Sequence, residues 1–245
     1  MLILFDIDAT LLTSSKAGVL ALERGGKDAF GDRFSIDGVD FAGRLDPLII
    51  ADLLRQNRLD HTTENAERLK AGYIRNLPGY LARPGSTTTC PGVHPLLDEL
   101  RRHGHITLGL LTGNFAETGA LKLRSVGIDP AWFPVHVWGD QSPHNPPARD
   151  HLPPLGLARF EQLHGRPAEP DRTVIIGDTP HDIRCAKVNG CKSLGVATGQ
   201  FSLDQLRAHD PSHVLADLSE TRAVLGWLLE AVGASRGFSA EATPR

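Results

Sequence analysis

Asp6 and Asp8 stand two residues apart in FDIDATLL, directly behind the apolar run LILF. A carboxylate at the end of a buried strand is costly unless a cation or hydrogen bonds compensate it. Two more acids, Asp178 and Asp182, follow a second apolar run in IIGDTPHD, and LLTGN places Thr112, Gly113 and Asn114 between the two pairs. Four carboxylates brought together without a basic partner repel one another and hold their protons unless a cation sits among them. Hard oxygen donors of this kind suit Mg²⁺, which takes one or two carboxylates together with water and substrate phosphate. The Thr-Gly-Asn corner offers a hydroxyl, an unobstructed backbone and the amides of an opening helix, a combination that favours an anion. Taken singly, Asp182 also reads as a turn former or helix cap, and Asn114 as the cap of a helix over 114–126.

The elements that must hold these residues are legible as short β-rich runs at 2–8, 106–114, 135–140, 173–178 and 193–199, with a weaker one at 213–217. Helical patterns lie between them, at 92–103, 114–126, about 153–164, 180–189 and 219–232. Near-continuous apolar strands alternating with amphipathic helices predict an α/β fold, a doubly wound parallel sheet covered on both faces. In such sheets ligands bind beyond the carboxyl ends of the strands. The acids and the Thr-Gly-Asn corner all stand at those ends, and period-two geometry puts Asp6 and Asp8 on one side with Ile7 turned inward.

Residues 14–85 have helical spacing and no convincing strand, which predicts an inserted α-helical cap domain. The core is then 1–13 and 86–232, with chain crossings at roughly 13–16 and 82–90, and 233–245 reads as a frayed, disordered tail. A net charge of −3 gives no general basic surface, so neither nucleic acid nor an anionic membrane is an expected partner. No apolar stretch approaches a bilayer span, and three irregularly spaced cysteines suit free thiols in a reducing compartment. A cytoplasmic protein, monomer or homodimer, is the expectation.

In this order and at these strand ends, DIDATLL, LLTGN and IIGDTPHD resemble motifs I, II and IV of the haloacid dehalogenase (HAD) superfamily. The insert resembles that superfamily's C1 cap on its HAD-like Rossmannoid core, and the whole is most similar to the phosphoglycolate-phosphatase-like branch. The resemblance implies a Mg²⁺-dependent phosphatase acting on a small phosphorylated metabolite. It implies Asp6 as the nucleophile that forms an aspartyl-phosphate and Asp8 as the acid that protonates the leaving oxygen and then activates water. It implies Thr112, Gly113 and Asn114 as the phosphate-binding corner. The metal ligands would be Asp6, Asp8 through its backbone carbonyl, and Asp178, with Asp182 in support. A phosphomutase of the same superfamily, or a non-catalytic relative that binds a phosphorylated ligand, are the alternatives.

Two departures stand out. The glycine usual after the second aspartate is Ala9, and since alanine resists positive φ the turn is expected to use an ordinary backbone region. Motif III is normally a lysine, yet 127–177 contains none. Arg149 stands where that lysine would be and is expected to replace it, with Lys122 as the rival and a plain surface position as the third reading. In the cap, FAGRLDPLI resembles the segment laid over the active site, so Arg44 is a candidate for meeting a substrate anion, or else a solvated charge beside a turn.

Overall fold

The computed structural model describes residues 1–231; the tail predicted at 233–245 lies outside the described residues. Six strands form one parallel sheet: β1 (Leu2–Phe5), β4 (Thr107–Leu111), β5 (Val135–Val137), β6 (Thr173–Gly177), β7 (Lys192–Val196) and β8 (His213–Leu215). Their spatial order is β5-β4-β1-β6-β7-β8, so the chain changes direction on either side of β1. The strands bearing the three motifs, β1, β4 and β6, are therefore central neighbours, with Leu2 in register with both Thr107 and Thr173.

Alternation along β1 explains the layering. Ile3, Phe5 and Ile7 enter one apolar cluster with Val93, Leu96, Leu100 and Leu228. Leu2 and Leu4 enter the opposite one with Leu152, Phe160 and Cys185. The first cluster is closed by α4 (Val93–Arg102) and α9 (Thr221–Ala231), the second by α6 (Leu152–His164) and α7 (Pro180–Val188). A sheet buried on both faces has no polar side to declare its register, which accounts for the near-continuous apolar runs.

Between β2 (Leu12–Thr13) and β3 (Thr88–Thr89) the chain builds α1 (Ala17–Phe30), α2 (Asp46–Gln56) and α3 (Thr63–Leu81) around a separate apolar cluster. Leu69, Tyr73 and Leu77, four apart on α3, face Ala17 and Ala21 of α1 and Ile50 and Leu54 of α2. Helices α1 and α3 touch at backbone distance, because a Cβ on Gly25 would lie 2.5 Å from the Gly72 carbonyl carbon. The two crossings are not open loops. β2 and β3 pair antiparallel, Leu12 opposite Thr89, so a two-stranded ladder forms the neck of the insert. That ladder, and the short helix α8 (Leu203–Arg207), escape a reading by periodicity because each is too short to show a period. Among the described residues no helix is long and apolar enough to cross a membrane.

Candidate active site

The predicted strand ends overshoot the ladders because their last residues belong to the site. β1 stops at Phe5; the Asp6 amide still bonds to the Ile176 carbonyl at 2.9 Å, and then the chain curls. The Ile7 carbonyl accepts the amides of Thr10, Leu11 and Leu12, and the Ala9 amide bonds to the Leu12 carbonyl at 2.7 Å. Ala9 has φ +56°, so the expectation of an ordinary backbone region is wrong. The curl imposes a left-handed residue whatever its side chain, and the Thr198 hydroxyl, bonded to the Ala9 carbonyl, helps hold it there.

Asp6, Asp178 and Asp182 are buried, and one carboxylate oxygen from each lies within 4.8 Å of the others. Burial pushes the Asp6 carboxyl up to about 6, Arg149 pulling the other way, and pushes Asp178 up to about 9, with Asp182 and Asp6 adding to it. Among the described residues no cation pairs with Asp178 within 4.0 Å. A divalent ion among hard oxygen donors would relieve that cost, so the donor set fits Mg²⁺. Its carboxylate ligands would be Asp6 and Asp178. Asp182 is already engaged: its Oδ2 accepts from the Thr179 amide (3.1 Å) and hydroxyl (2.7 Å) at the start of α7, and its Oδ1 accepts from Arg149 at 2.5 Å. One edge of Asp182 caps the helix and the other holds Arg149.

The acids are not without basic partners, contrary to the first premise drawn from the sequence. Arg149 opens a short 3₁₀ turn (Arg149–His151) ahead of α6 and is buried, which removes the surface reading. Its Nη2 lies 3.1 Å from Asp6 Oδ1 and bonds the Leu111 carbonyl at 3.3 Å, while Nη1 bonds the Gly43 carbonyl of the insert at 3.4 Å. Burial alone would lower its pKa, but Asp182 and Asp6 more than offset that, and the group stays charged.

Asp8 does not join the acid cluster. Its side chain is 41% exposed, and its Oδ2 accepts from Lys122 Nζ at 2.6 Å and from Asn114 Nδ2 at 2.8 Å. Lys122 also donates to Asn114 Oδ1 at 2.6 Å, and Asn114 Nδ2 is within 2.8 Å of the buried Thr112 hydroxyl. Asn114 therefore does not cap the following helix as expected. Helix α5 (Ala116–Ser125) begins two residues later, and the Phe115 amide at its entrance bonds instead to Asp46 Oδ2 of the insert at 2.9 Å. Burial raises Asp46 to about 6, with Lys122 and the Phe115 amide opposing.

The segment 43–46 lies directly over the Thr-Gly-Asn corner. The Asp46 amide bonds the Gly113 carbonyl at 2.7 Å, and a Cβ on Gly113 would sit 2.0 Å from the Arg44 carbonyl oxygen. It is the backbone of Arg44 that meets the corner; the guanidinium pairs with Asp52 at 2.7 Å and bonds the Asp40 carbonyl. A cleft of about 550 Å³ opens between insert and sheet. Asp6, Asp8, Asp178 and Thr112 line its floor, and Leu22, Phe41 and Ile49 of the insert line its roof. Sequence reasoning missed Asp46 and Tyr73 and left Lys122 only as a rival for motif III. The signal for Lys122 was present: with Thr118, Gly119 and Leu123 it falls on the inward stripe of α5, where a lysine needs a partner.

A family model described as HAD-hydrolase-like matches residues 153–221. A pyrophosphatase PpaX of Bacillus velezensis is 30% identical over 134 residues, so the match spans 55% of this chain and little more than half, 58%, of that protein. A phosphoglycolate phosphatase of Vibrio parahaemolyticus is 27% identical over 227 residues, 91% of this chain and 95% of that one. Among solved structures, CbbY of Rhodobacter sphaeroides, determined with xylulose-(1,5)bisphosphate, superposes with a TM-score of 0.72 at 21% identity, covering 89% of this chain and 95% of that one. Residues 153–221 are thus similar to HAD-like hydrolases, and the α/β fold of the chain is the one shared with that solved structure.

Proposed function

We propose that this protein is a Mg²⁺-dependent phosphatase that hydrolyses a small phosphomonoester through an aspartyl-phosphate on Asp6. The observation that carries the reading is the division of labour between the two acids of the first motif. Asp6 lies buried beside Asp178 and Arg149, whereas Asp8, two residues on, is half exposed on the cleft and held by Lys122 and Asn114. A pair of carboxylates in such different surroundings suits a nucleophile and a proton carrier.

Bound Mg²⁺ would lower the repulsion between an anionic carboxylate and an anionic phosphoryl group. The Asp6 carboxylate attacks phosphorus as the bond to the leaving alcohol breaks, and the proton on Asp8 passes to the departing oxygen. Asp8, now a carboxylate, takes a proton from water as that water attacks the phosphoryl group. The bond to Asp6 then breaks and inorganic phosphate leaves. Thr112 and the amides that follow it receive the phosphoryl oxygens, and Arg149, a fork of donors already on Asp6, fills the place of the motif III lysine. Splitting the displacement in two replaces one hard step by two easier ones.

The test is turnover of p-nitrophenyl phosphate with Mg²⁺. The wild-type chain releases phosphate, chelation of the metal stops it, and Asp6→Asn abolishes it while the circular dichroism spectrum is unchanged. An Asp6→Asn protein that kept near-wild-type turnover would overturn the assignment of the nucleophile.

A further inference from the structure

Lys122 is a buried cation on α5 whose ammonium spends two hydrogen bonds of 2.6 Å on Asp8 Oδ2 and Asn114 Oδ1. Burial would lower its pKa, but Asp8, Tyr73 and Asp46 more than reverse that, so the ammonium persists. Asn114 closes the figure by donating to the same Asp8 oxygen at 2.8 Å. Two donors on one oxygen fix the carboxylate's position and rotation and leave Oδ1 as the oxygen to carry a proton. On its other side Lys122 meets the insert: a Cβ built on Gly18 would lie 3.1 Å from the Tyr73 hydroxyl and 3.8 Å from Lys122 Nζ. Arg149 has no part in this, being occupied by Asp6 and Asp182.

We infer that Lys122 is a positioning residue: with Asn114 it holds Asp8 for proton transfer to the leaving oxygen, and through Tyr73 it ties that placement to the seating of the insert. The inference rests on the phosphatase reading. It separates the two cations of the site, Arg149 serving the nucleophile and Lys122 the proton carrier. Only the step that protonates the leaving group depends on it. A phenolate with an electron-withdrawing group departs with little help, whereas an alkoxide needs the proton as the P–O bond breaks. General-acid assistance is worth about 10²–10⁴-fold in rate.

The experiment compares p-nitrophenyl phosphate with glycerol 3-phosphate in the wild type, Lys122→Met, Asp8→Asn and the double variant. For Lys122→Met, kcat/KM should fall by about 100-fold or more on the alkyl ester and by about tenfold or less on the aryl ester. The alkyl-to-aryl ratio should not fall further when Lys122→Met is added to Asp8→Asn, because a residue acting through another loses its effect when that other is gone. Equal losses on both esters, or losses that multiply in the double variant, would overturn the inference while leaving the phosphatase reading intact. A wild-type chain that turned over neither ester would overturn both. If Lys122→Met fails to fold, Lys122→Gln takes its place; failure of both to fold would make Lys122 a structural strut and overturn the inference.

Discussion

Gly199 offers a way to displace Asp178, the proposed metal ligand, without touching an ionisable residue. A Cβ at this position would lie 1.8 Å from Asp178 Oδ2 and 2.9 Å from its Cγ. Ordinary contact begins at 3.4 Å, so in Gly199→Ala the oxygen must retreat by roughly 1.6 Å. That is most of a Mg–O bond of about 2.0–2.1 Å, and Mg²⁺ tolerates little departure from octahedral geometry. Gly199 does not occupy positive φ, so alanine meets no backbone penalty there. The aspartate is short, so relieving the clash moves its carboxylate itself out of place. Gly199→Ala should therefore weaken Mg²⁺ binding by about 100-fold, or about 2.7 kcal/mol, with melting changed by no more than a few degrees. Isothermal titration with Mg²⁺ and the Mg²⁺ dependence of phosphate release read the effect. Wild-type Mg²⁺ affinity in this variant would refute the placement of Asp178 as a ligand.

Two further outcomes are expected. With Asp178 raised to about 9 and Asp6 to about 6, both above 3.8 in the unfolded chain, these two groups hold more protons in the metal-free native state than in the unfolded one between about pH 4 and 9. Their contribution to stability should fall as pH rises through that window; Mg²⁺ titration at pH 7 should then release about one proton, read as a buffer-dependent binding enthalpy, and no release would contradict the burial argument. Ala9→Gly removes a left-handed alanine costing about 1–2 kcal/mol and returns part of that as unfolded-chain entropy, so the variant should be more stable by about 0.5–1 kcal/mol. Urea unfolding reads the change, and a loss of stability would show that the turn prefers its alanine.

The sheet was legible because its strands are apolar on both faces and its helices amphipathic, signals that survive without tertiary information. What the sequence could not show is where polar chains of opposite sign meet. Lys122 and Asp8 are 114 positions apart, Arg149 and Asp182 are 33 apart, and no local pattern pairs them. The Asn114 cap failed for a related reason: the rule that Asn caps helices assumes no stronger partner, and here Lys122 and Asp8 compete for its amide while Asp46 takes the helix entrance. Ala9 failed in the opposite direction. Its propensity argues against positive φ, but three amides bonded to the Ile7 carbonyl outweigh a penalty of about 1–2 kcal/mol. Arg44 illustrates a third limit, since composition marks the cation but not that Asp52 already holds it.

The charges of the site divide into two poles, and the division explains why the chain carries two unrelated cations where one motif lysine is usual. The buried pole holds Asp6, Asp178 and Asp182 against Arg149 alone among the described residues, so with all three acids ionised, as a bound divalent cation would leave them, that cation would balance an excess of two negative charges. The exposed pole holds Asp8 against Lys122, with Asp46 of the insert close by. A single cation placed between Asp6 and Asp8 would have to serve both, and moving toward one acid would release the other. Separate cations let Asp6 and Asp8 be set independently, although they are only two residues apart. Both cations also touch the insert, Arg149 at the Gly43 carbonyl and Lys122 beside Tyr73. Lifting the insert would thus strip a contact from each pole, which makes its seating a condition for both acids being in place.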